Sequence, residues 1–165
     1  MDKQVEFNAH GKKEYPPMHT AEHIINQAMC RLFGTGRSIS AHIEKKKSRL
    51  DFRSESPMGV EEAKALEAEV NRVIAQDLPV IYLLSTRAEA EQYDVDLSRI
   101  PEDSSEAVQI VKVGDYDTCL CIGQHVEHTS QIGRVEVYSS DYAPEQKRFR
   151  VRYRLSGADP IYDEA

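Results

Sequence analysis

The sequence predicts an α+β fold in which a mainly antiparallel sheet packs against two principal helices. Two segments, near residues 18–33 and 56–79, have apolar residues at helical spacing. The other apolar residues alternate with polar ones in short runs that are typical of strands. These runs do not alternate regularly with helices, as they would in a doubly wound parallel sheet. With 165 residues and no low-complexity linker, the chain is expected to form one domain over 1–165.

The first helix is expected over residues 18–33, and Gly34 provides a suitable C-terminal stop. The second helix is expected within residues 56–79, with Ser56 as its N-cap. Charged residues cover most of that second helix and leave one apolar stripe, which should face the core. The stripe consists of Val60, Ala63, Leu66, Val70, Val73 and Ile74.

Strands are expected on both sides of the second helix. A hairpin is predicted around a polar turn at residues 44–48, which places three consecutive lysines at an exposed tip. The last strand alternates strictly, so its arginines share one face and its apolar residues share the other. The remaining expected segments are strands at 80–84, 107–114, 117–121, 134–140 and 147–157, a short helix at 86–93 and a surface loop at 94–106.

Composition narrows the class of protein. The chain has 21 Lys and Arg against 28 Asp and Glu, a formal net charge of −7, which excludes coating nucleic acid through bulk positive charge. The sequence has no run of 18 apolar residues, so no membrane span is expected. The N-terminal residues lack the apolar core of a signal peptide. Three cysteines favour a reducing compartment over a disulfide framework. We therefore expect a cytoplasmic protein with no membrane partner.

Four of the nine histidines and cysteines have the spacing of a metal site. His19 and His23 are four residues apart on the first helix, so their imidazoles lie on one face. Cys121 and His125 flank a glycine-containing turn about a hundred residues later. Imidazole and thiolate ligands together suit zinc best among the common metals. These four residues are therefore predicted to bind zinc, and the alternative is histidines and a thiol packed in the core.

Three further residues lie close to these four in the sequence. Glu22 directly precedes His23 and is expected to turn towards a different face from the metal. Cys119 shares the strand face of Cys121, so it is either a spare ligand or a packed thiol. His128 is either a general base or outer partner of the metal, or an ordinary surface histidine.

These motifs resemble the aminoacyl-tRNA editing domain of alanyl- and threonyl-tRNA synthetases, which also occurs as free-standing AlaX-type trans-editing proteins. The segments at 49–52 and 77–80 are also similar, so the resemblance covers roughly residues 17–137. This chain has Ile122 and Gln124 where the alanyl type has glycine and threonine. The family pattern of His-x3-His, Cys-x-Gly-x-His, Thr and Ile-Gly is matched by His19, His23, Cys121, Gly123, His125, Thr129, Ile132 and Gly133.

The resemblance implies an aminoacyl-tRNA deacylase that uses zinc to hydrolyse the ester of a mischarged tRNA in trans. The expected main substrate is serine attached to an alanine tRNA. The four zinc ligands would then act in catalysis through the bound metal. The alternatives are threonyl-type editing, a zinc hydrolase for another small ester or amide, and a non-catalytic zinc-stabilised tRNA-binding module. Whether the zinc is catalytic, binds substrate or is structural stays open from the sequence.

Substrate and RNA contacts are expected from polar residues near these motifs. An alanine pocket cannot strongly reject serine by binding alone, so an editing site must recognise the serine hydroxyl. The expected substrate-binding residues are Thr20, Ser40 and Gln124, although Thr20 can instead bond within its helix and Gln124 can face solvent. The expected contacts to tRNA phosphates are Lys45, Lys46, Lys47, Arg150 and Arg152. Alternatively, the lysines are only solvated, and the arginines pair with carboxylates or guard an edge strand.

Overall fold

The computed structural model describes residues 14–93, 95 and 107–163, and these form an α+β fold with antiparallel sheets. The predicted loop at 94–106 lies outside the described residues, apart from residue 95. The elements in chain order are α1 (Pro16–Phe33), β1 (Ser40–His42), β2 (Ser48–Arg53), α2 (Val60–Ala75), β3 (Val80–Thr86), α3 (Arg87–Ala90), β4 (Ala107–Val113), β5 (Asp117–Leu120), a 3-10 turn (Thr129–Ile132), β6 (Arg134–Ala143), β7 (Arg148–Ser156) and a second 3-10 turn (Pro160–Asp163).

Helix α1 confirms the first predicted helix and begins two residues earlier. Proline is tolerated there because the first N–H groups of a helix have no partner within it. Gly34 ends the helix in the left-handed conformation, with φ of 70°, and its N–H donates to the Cys30 carbonyl. An L-residue with a side chain is strained in this conformation, which explains glycine at this position.

Helix α2 is shorter than predicted at its start. The expected N-cap at Ser56 is wrong, because Gly59 is the N-cap and its N–H donates to Glu62 Oε1 at 2.6 Å. The side chain of Glu62 thus closes the first turn, a role that the Ser-Pro signal upstream does not reveal. Val60 is 61% exposed, so the buried stripe begins only at Ala63 and includes Leu66.

The strands form two sheets rather than one. The first sheet has the order β1-β2-β7-β6 and the second has the order β3-β4-β5, with every pair antiparallel. The predicted antiparallel character is confirmed, as is the hairpin that presents the three lysines. Alternation in a sequence predicts strands but not their neighbours, so the division into two sheets was not predictable.

The main core lies between the two long helices and the four-stranded sheet. Central strand β7 buries Phe149, Val151 and Tyr153 on this side and turns its arginines the other way, as predicted. The three-stranded sheet adds a small separate cluster around Ile110. None of the helices in the described ranges is both long and apolar enough to span a bilayer.

The segment between β5 and β6 is held over α1 by buried hydroxyl groups. Thr20 Oγ1 accepts a hydrogen bond from the Val126 N–H at 3.1 Å. Thr129 Oγ1 accepts from the Leu78 N–H at 2.9 Å and donates to the Ile74 carbonyl at 3.0 Å. The Thr20 contact fixes the turn that follows β5 against α1, and the Thr129 contacts fix the first 3-10 turn against the C-terminal end of α2.

Candidate metal centre

The structure brings the four predicted ligands together. Helix α1 supplies two histidines, and the turn after β5 supplies the cysteine and the third histidine. Cys121 Sγ lies 3.5 Å from His19 Nε2 and 3.5 Å from His125 Nε2. One ligand atom from each residue lies within 4.8 Å of the others. Three imidazoles and a thiolate at these separations form a donor set that fits zinc.

Each of the three imidazoles has an outer partner at Nδ1, and this contact determines which ring nitrogen faces the cluster. His19 Nδ1 lies 3.2 Å from the carbonyl oxygen of Gln124, so this nitrogen must carry the proton. His125 Nδ1 lies 2.9 Å from Thr20 Oγ1, and His23 Nδ1 faces Asp117. In each ring Nδ1 thus faces an outer partner and Nε2 is left to face the cluster. Although burial lowers them, the pKa values of His19 and His23 are raised, mainly by hydrogen bonds with Cys121, Glu14 and Asp117, so both imidazoles would release a proton when a metal binds.

Asp117 is a buried carboxylate behind His23. Its side chain is inaccessible to solvent, and Oδ1 accepts hydrogen bonds from Arg37 Nη1 at 2.8 Å and Gln27 Nε2 at 2.9 Å. Oδ2 lies 3.6 Å from His23 Nδ1, and both atoms are otherwise buried without a hydrogen bond. Burial opposes ionisation, yet His23 and Arg37 lower the pKa of Asp117 to about 2. Asp117 is therefore a charged outer partner that orients His23.

We expect Asp117→Asn to weaken zinc binding by roughly 10–100-fold, because loss of an outer partner of a metal-binding histidine costs about that much affinity. Competition with a chromophoric chelator would measure the zinc dissociation constant. Asp115→Asn is the matched control, because Asp115 lies exposed in the turn before β5. Equal zinc affinities for the two variants would contradict the role of Asp117.

The cluster favours the thiolate form of Cys121. Burial raises the pKa of the thiol, but hydrogen bonds from His125, His19 and His23 outweigh it and lower the pKa to about 3. Burial and the neighbouring charges of His23 and His19 lower the pKa of His125 to about 4. A thiolate and a neutral imidazole are the protonation states in which these residues bind metal.

The turn between the cysteine and His125 is packed tightly against α1. Glu14 Oε1 accepts a hydrogen bond from the Gln124 N–H at 2.9 Å and lies 3.6 Å from His19 Nδ1. A side chain on Gly123 would place its Cβ 2.3 Å from His19 Cε1 and 2.6 Å from Glu14 Oε1. Only glycine therefore fits at position 123 with His19 in this orientation.

The expectation that Glu22 points away from the metal is wrong. Its Oε1 lies 3.6 Å from His19 Nε2, the nitrogen that faces Cys121. The expectation considered only sequential position on the helix, whereas a glutamate side chain is long enough to reach the neighbouring turn. Glu22 and His19 are three residues apart, a spacing at which helical side chains meet.

The three predicted substrate-binding residues lie in different surroundings. Thr20 is fully buried and contacts His125 instead of bonding within its own helix. Gln124 is exposed beside His125, in the turn after Cys121. Ser40 is exposed on β1, opposite Asp51, and the hydrogen bonds given above for the cluster do not involve it.

Cys119 and His128, the two other potential metal ligands near the motif, contact groups outside the cluster. Cys119 Sγ lies 3.4 Å from the Leu120 carbonyl, and burial raises the pKa of its thiol to about 12. The four-residue cluster does not include it. His128 Nδ1 pairs with Asp77 and lies 3.0 Å from Ser130 Oγ, on the exposed side of the first 3-10 turn.

The arginines and lysines predicted to contact phosphates differ in their ion pairing and exposure. Arg150 forms a bidentate ion pair with Asp51, at 2.7 and 3.0 Å. Arg152 Nη1 lies 3.1 Å from Asp141 Oδ1. This pairing favours the alternative in which the strand arginines are neutralised by carboxylates. The three lysines at the hairpin tip are exposed, although Lys45 Nζ lies 3.5 Å from Asp163.

Sequence reasoning missed Asp117, Glu14 and Tyr82. The hydroxyl of Tyr82 accepts a hydrogen bond from the His125 N–H at 2.8 Å, and its ring is partly exposed beside that histidine. Asp117 lies in the motif segment, and an acidic residue at the start of a strand that leads to a ligand was the available signal. Nothing in the sequence connects Glu14 or Tyr82 to positions 124 and 125, because the contacts arise from tertiary packing.

Comparison with known proteins finds sequence similarity to tRNA synthetase domains. A family model described as the threonyl and alanyl tRNA synthetase second additional domain matches residues 108–148, which include β4 apart from its first residue, β5 and the turn with Cys121 and His125. The α+β fold with antiparallel sheets agrees with that family.

Alanine–tRNA ligases are similar over most of the chain. The ligase of Frankia alni is 30% identical over 137 residues, which are 82% of this chain and 15% of the ligase. That of Petrotoga mobilis is 30% identical over 72% of this chain and 14% of the ligase. That of Treponema denticola is 32% identical over 70% of this chain and 19% of the ligase. The chain thus spans less than a fifth of the length of these relatives.

Proposed function

We propose that this chain, which resembles the editing domain of alanyl- and threonyl-tRNA synthetases over most of its length, hydrolyses the ester bond of a mischarged aminoacyl-tRNA. We propose serine on an alanine tRNA as the substrate and action in trans as the mode. The observation that carries the proposal is the convergence of three imidazoles and a thiolate at one partly exposed place, with the Nδ1 atom of each imidazole directed at an outer partner.

Zinc bound by His19, His23, Cys121 and His125 would supply a Lewis acid for the ester carbonyl and would lower the pKa of a coordinated water. His23 and His125 are almost fully buried, whereas the side chain of His19 is 14% exposed. Substrate would therefore approach from the side of His19. Asp117, Thr20 and the Gln124 carbonyl hold the three imidazoles in place before substrate binds, which reduces the reorganisation that the reaction needs.

Residues around the turn are suited to binding the aminoacyl group. The exposed side chain of Gln124 can exchange hydrogen bonds with a serine hydroxyl, which alanine lacks. Tyr82 forms a partly exposed aromatic wall beside His125. Thr20 acts through His125, so we assign it a positioning role in this proposal.

A deacylation assay tests the proposal. Zinc-loaded protein should release serine from alanine tRNA faster than from threonine tRNA, and should spare serine on its cognate tRNA. If serine is released faster from threonine tRNA than from alanine tRNA, the activity is threonyl-type editing. Protein that contains stoichiometric zinc and releases serine from none of the three tRNAs would overturn the proposed activity and leave the non-catalytic module.

For the tRNA contact, we propose the hairpin tip with Lys45, Lys46 and Lys47. Replacing all three lysines by alanine is expected to weaken tRNA binding. The slope of log affinity against log salt concentration should fall by up to about three, because each lost phosphate contact lowers it by about one. Binding titrations at several salt concentrations measure the slope. Lys64→Ala on α2 serves as the control. An unchanged slope in the triple variant would exclude this hairpin as the phosphate contact.

A further inference from the structure

Glu22 lies at the edge of the metal centre and is not among its four ligands. Its Oε1 is 3.6 Å from His19 Nε2, and the side chain is 21% exposed. Partial exposure on the side of His19 means that a bound substrate can reach this carboxylate. The side chains of His23 and His125 are themselves almost fully buried.

The orientation of Glu22 is fixed by a buried asparagine. Asn26 Nδ2 lies 3.3 Å from Glu22 Oε2 and also donates to the Glu22 carbonyl at 3.0 Å. Asn26 is itself held because its Oδ1 accepts a hydrogen bond from the Ser38 N–H at 2.6 Å. The carboxylate is therefore held in place by the fold and keeps Oε1 directed at the centre.

The charge of the occupied centre explains why a carboxylate is useful there. A divalent ion held by three neutral imidazoles and one thiolate would keep one net positive charge. The α-amino group of an amino acid linked through its carboxyl has a pKa of about 7.7–8.0, so at neutral pH it is largely a cation. Asp117 is inaccessible to solvent and Glu14 lies at the Nδ1 edge of His19, whereas Glu22 lies at the Nε2 edge that faces the cluster. An ammonium group that approached along that edge would be repelled by the ion, and the Glu22 carboxylate would offset this repulsion.

We propose that Glu22 binds the α-ammonium group of the aminoacyl moiety, so that the site selects esters of amino acids with a free amine. This inference rests on the proposed function and deepens it. One carboxylate oxygen is held by Asn26 and the other is available to the ammonium N–H groups. Glu22 is then a specificity-determining residue, and an N-acylated amino acid, which has no cation, is disfavoured at the same place.

Binding of stable analogues tests this inference without requiring hydrolysis. The probes are two amide-linked analogues of 3′-seryl-adenosine, one with a free α-amine and one N-acetylated, titrated by calorimetry into zinc-loaded protein. Glu22→Gln preserves the size of the side chain and an oxygen that can accept from Asn26. Glu61→Gln, which removes the same charge from an exposed position in the first turn of α2, is the matched control.

The wild-type protein and the Glu61→Gln control should bind the free-amine analogue at least roughly tenfold more tightly than the acetylated one, because hydrogen bonds between charged groups contribute about that much. Glu22→Gln should bind both analogues with nearly equal affinity and keep the zinc affinity of the wild type. Retention of the preference in Glu22→Gln would overturn the inference, as would a tenfold loss of zinc affinity, which would make Glu22 a metal-binding residue. A wild-type protein that binds neither analogue, or both equally, would also overturn it.

The outcome is separable from that of the proposed function. A Glu22-dependent preference in a protein that hydrolyses no seryl-tRNA would support the inference and refute the deacylase. Hydrolysis of seryl-tRNA with no Glu22-dependent preference would do the reverse.

Discussion

Cys121→Ser is expected to lose zinc and, with it, deacylation. The thiolate is stabilised by three histidines, which lower the pKa of Cys121 to about 3, whereas a serine hydroxyl does not ionise at neutral pH and binds zinc poorly. The loss of affinity should exceed the roughly 10–100-fold effect of removing an outer partner such as Asp117. Metal analysis of the purified protein and chelator competition measure it.

The other two cysteines provide matched controls for this substitution. Cys119 is two residues away, on β5, and lies outside the cluster, and Cys30 lies on α1. Cys119→Ser and Cys30→Ser should retain stoichiometric zinc. If Cys121→Ser kept wild-type zinc affinity, or if Cys119→Ser lost it, the assignment of the four ligands would be wrong.

Gly123→Ala is expected to disrupt the same centre by steric means. The added methyl group would lie 2.3 Å from His19 Cε1, so the imidazole or the turn must move. His19 Nε2 and Cys121 Sγ are only 3.5 Å apart, and a metal site requires ligand distances within about 0.2 Å of their ideal values. We therefore expect a loss of zinc affinity of at least roughly tenfold, comparable to the loss of an outer partner.

The control for this steric effect is Gly36→Ala. Gly36 has an ordinary negative or extended φ, and no atom lies within 4 Å of a Cβ built there. Zinc titration and thermal unfolding of both variants, with and without metal, separate a local effect on the centre from a general loss of stability. Wild-type zinc affinity in Gly123→Ala would show that the turn can relax away from His19.

Secondary structure was largely predictable because it depends on local patterns. The spacing of apolar residues in α1 and the strict alternation in β7 are direct consequences of helix and strand periodicity. The start of α2 was predicted wrongly because two plausible caps, Ser56 and Gly59, lie three residues apart. The hydrogen bond from the Gly59 N–H to Glu62 selects the second, and propensity alone does not rank them.

The functional chemistry was predictable where it depends on residue type and spacing. His19 and His23 share a helix face by geometry, and the turn after β5 carries a cysteine and a histidine at short spacing. Glu22 was predicted wrongly for a related reason, since the position of a Cα on a helix does not determine how far a long side chain reaches.

The sequence by itself determined the antiparallel α+β character, the two helices and the four donor residues, because each follows from periodicity or from side-chain chemistry. Only the tertiary structure decided that the strands form two sheets, that Asp117 and Arg37 support His23, and that Glu14 and Tyr82 hold the turn. The physical reason is that these contacts join residues distant in the chain, and they form only when both helices and both sheets are packed together.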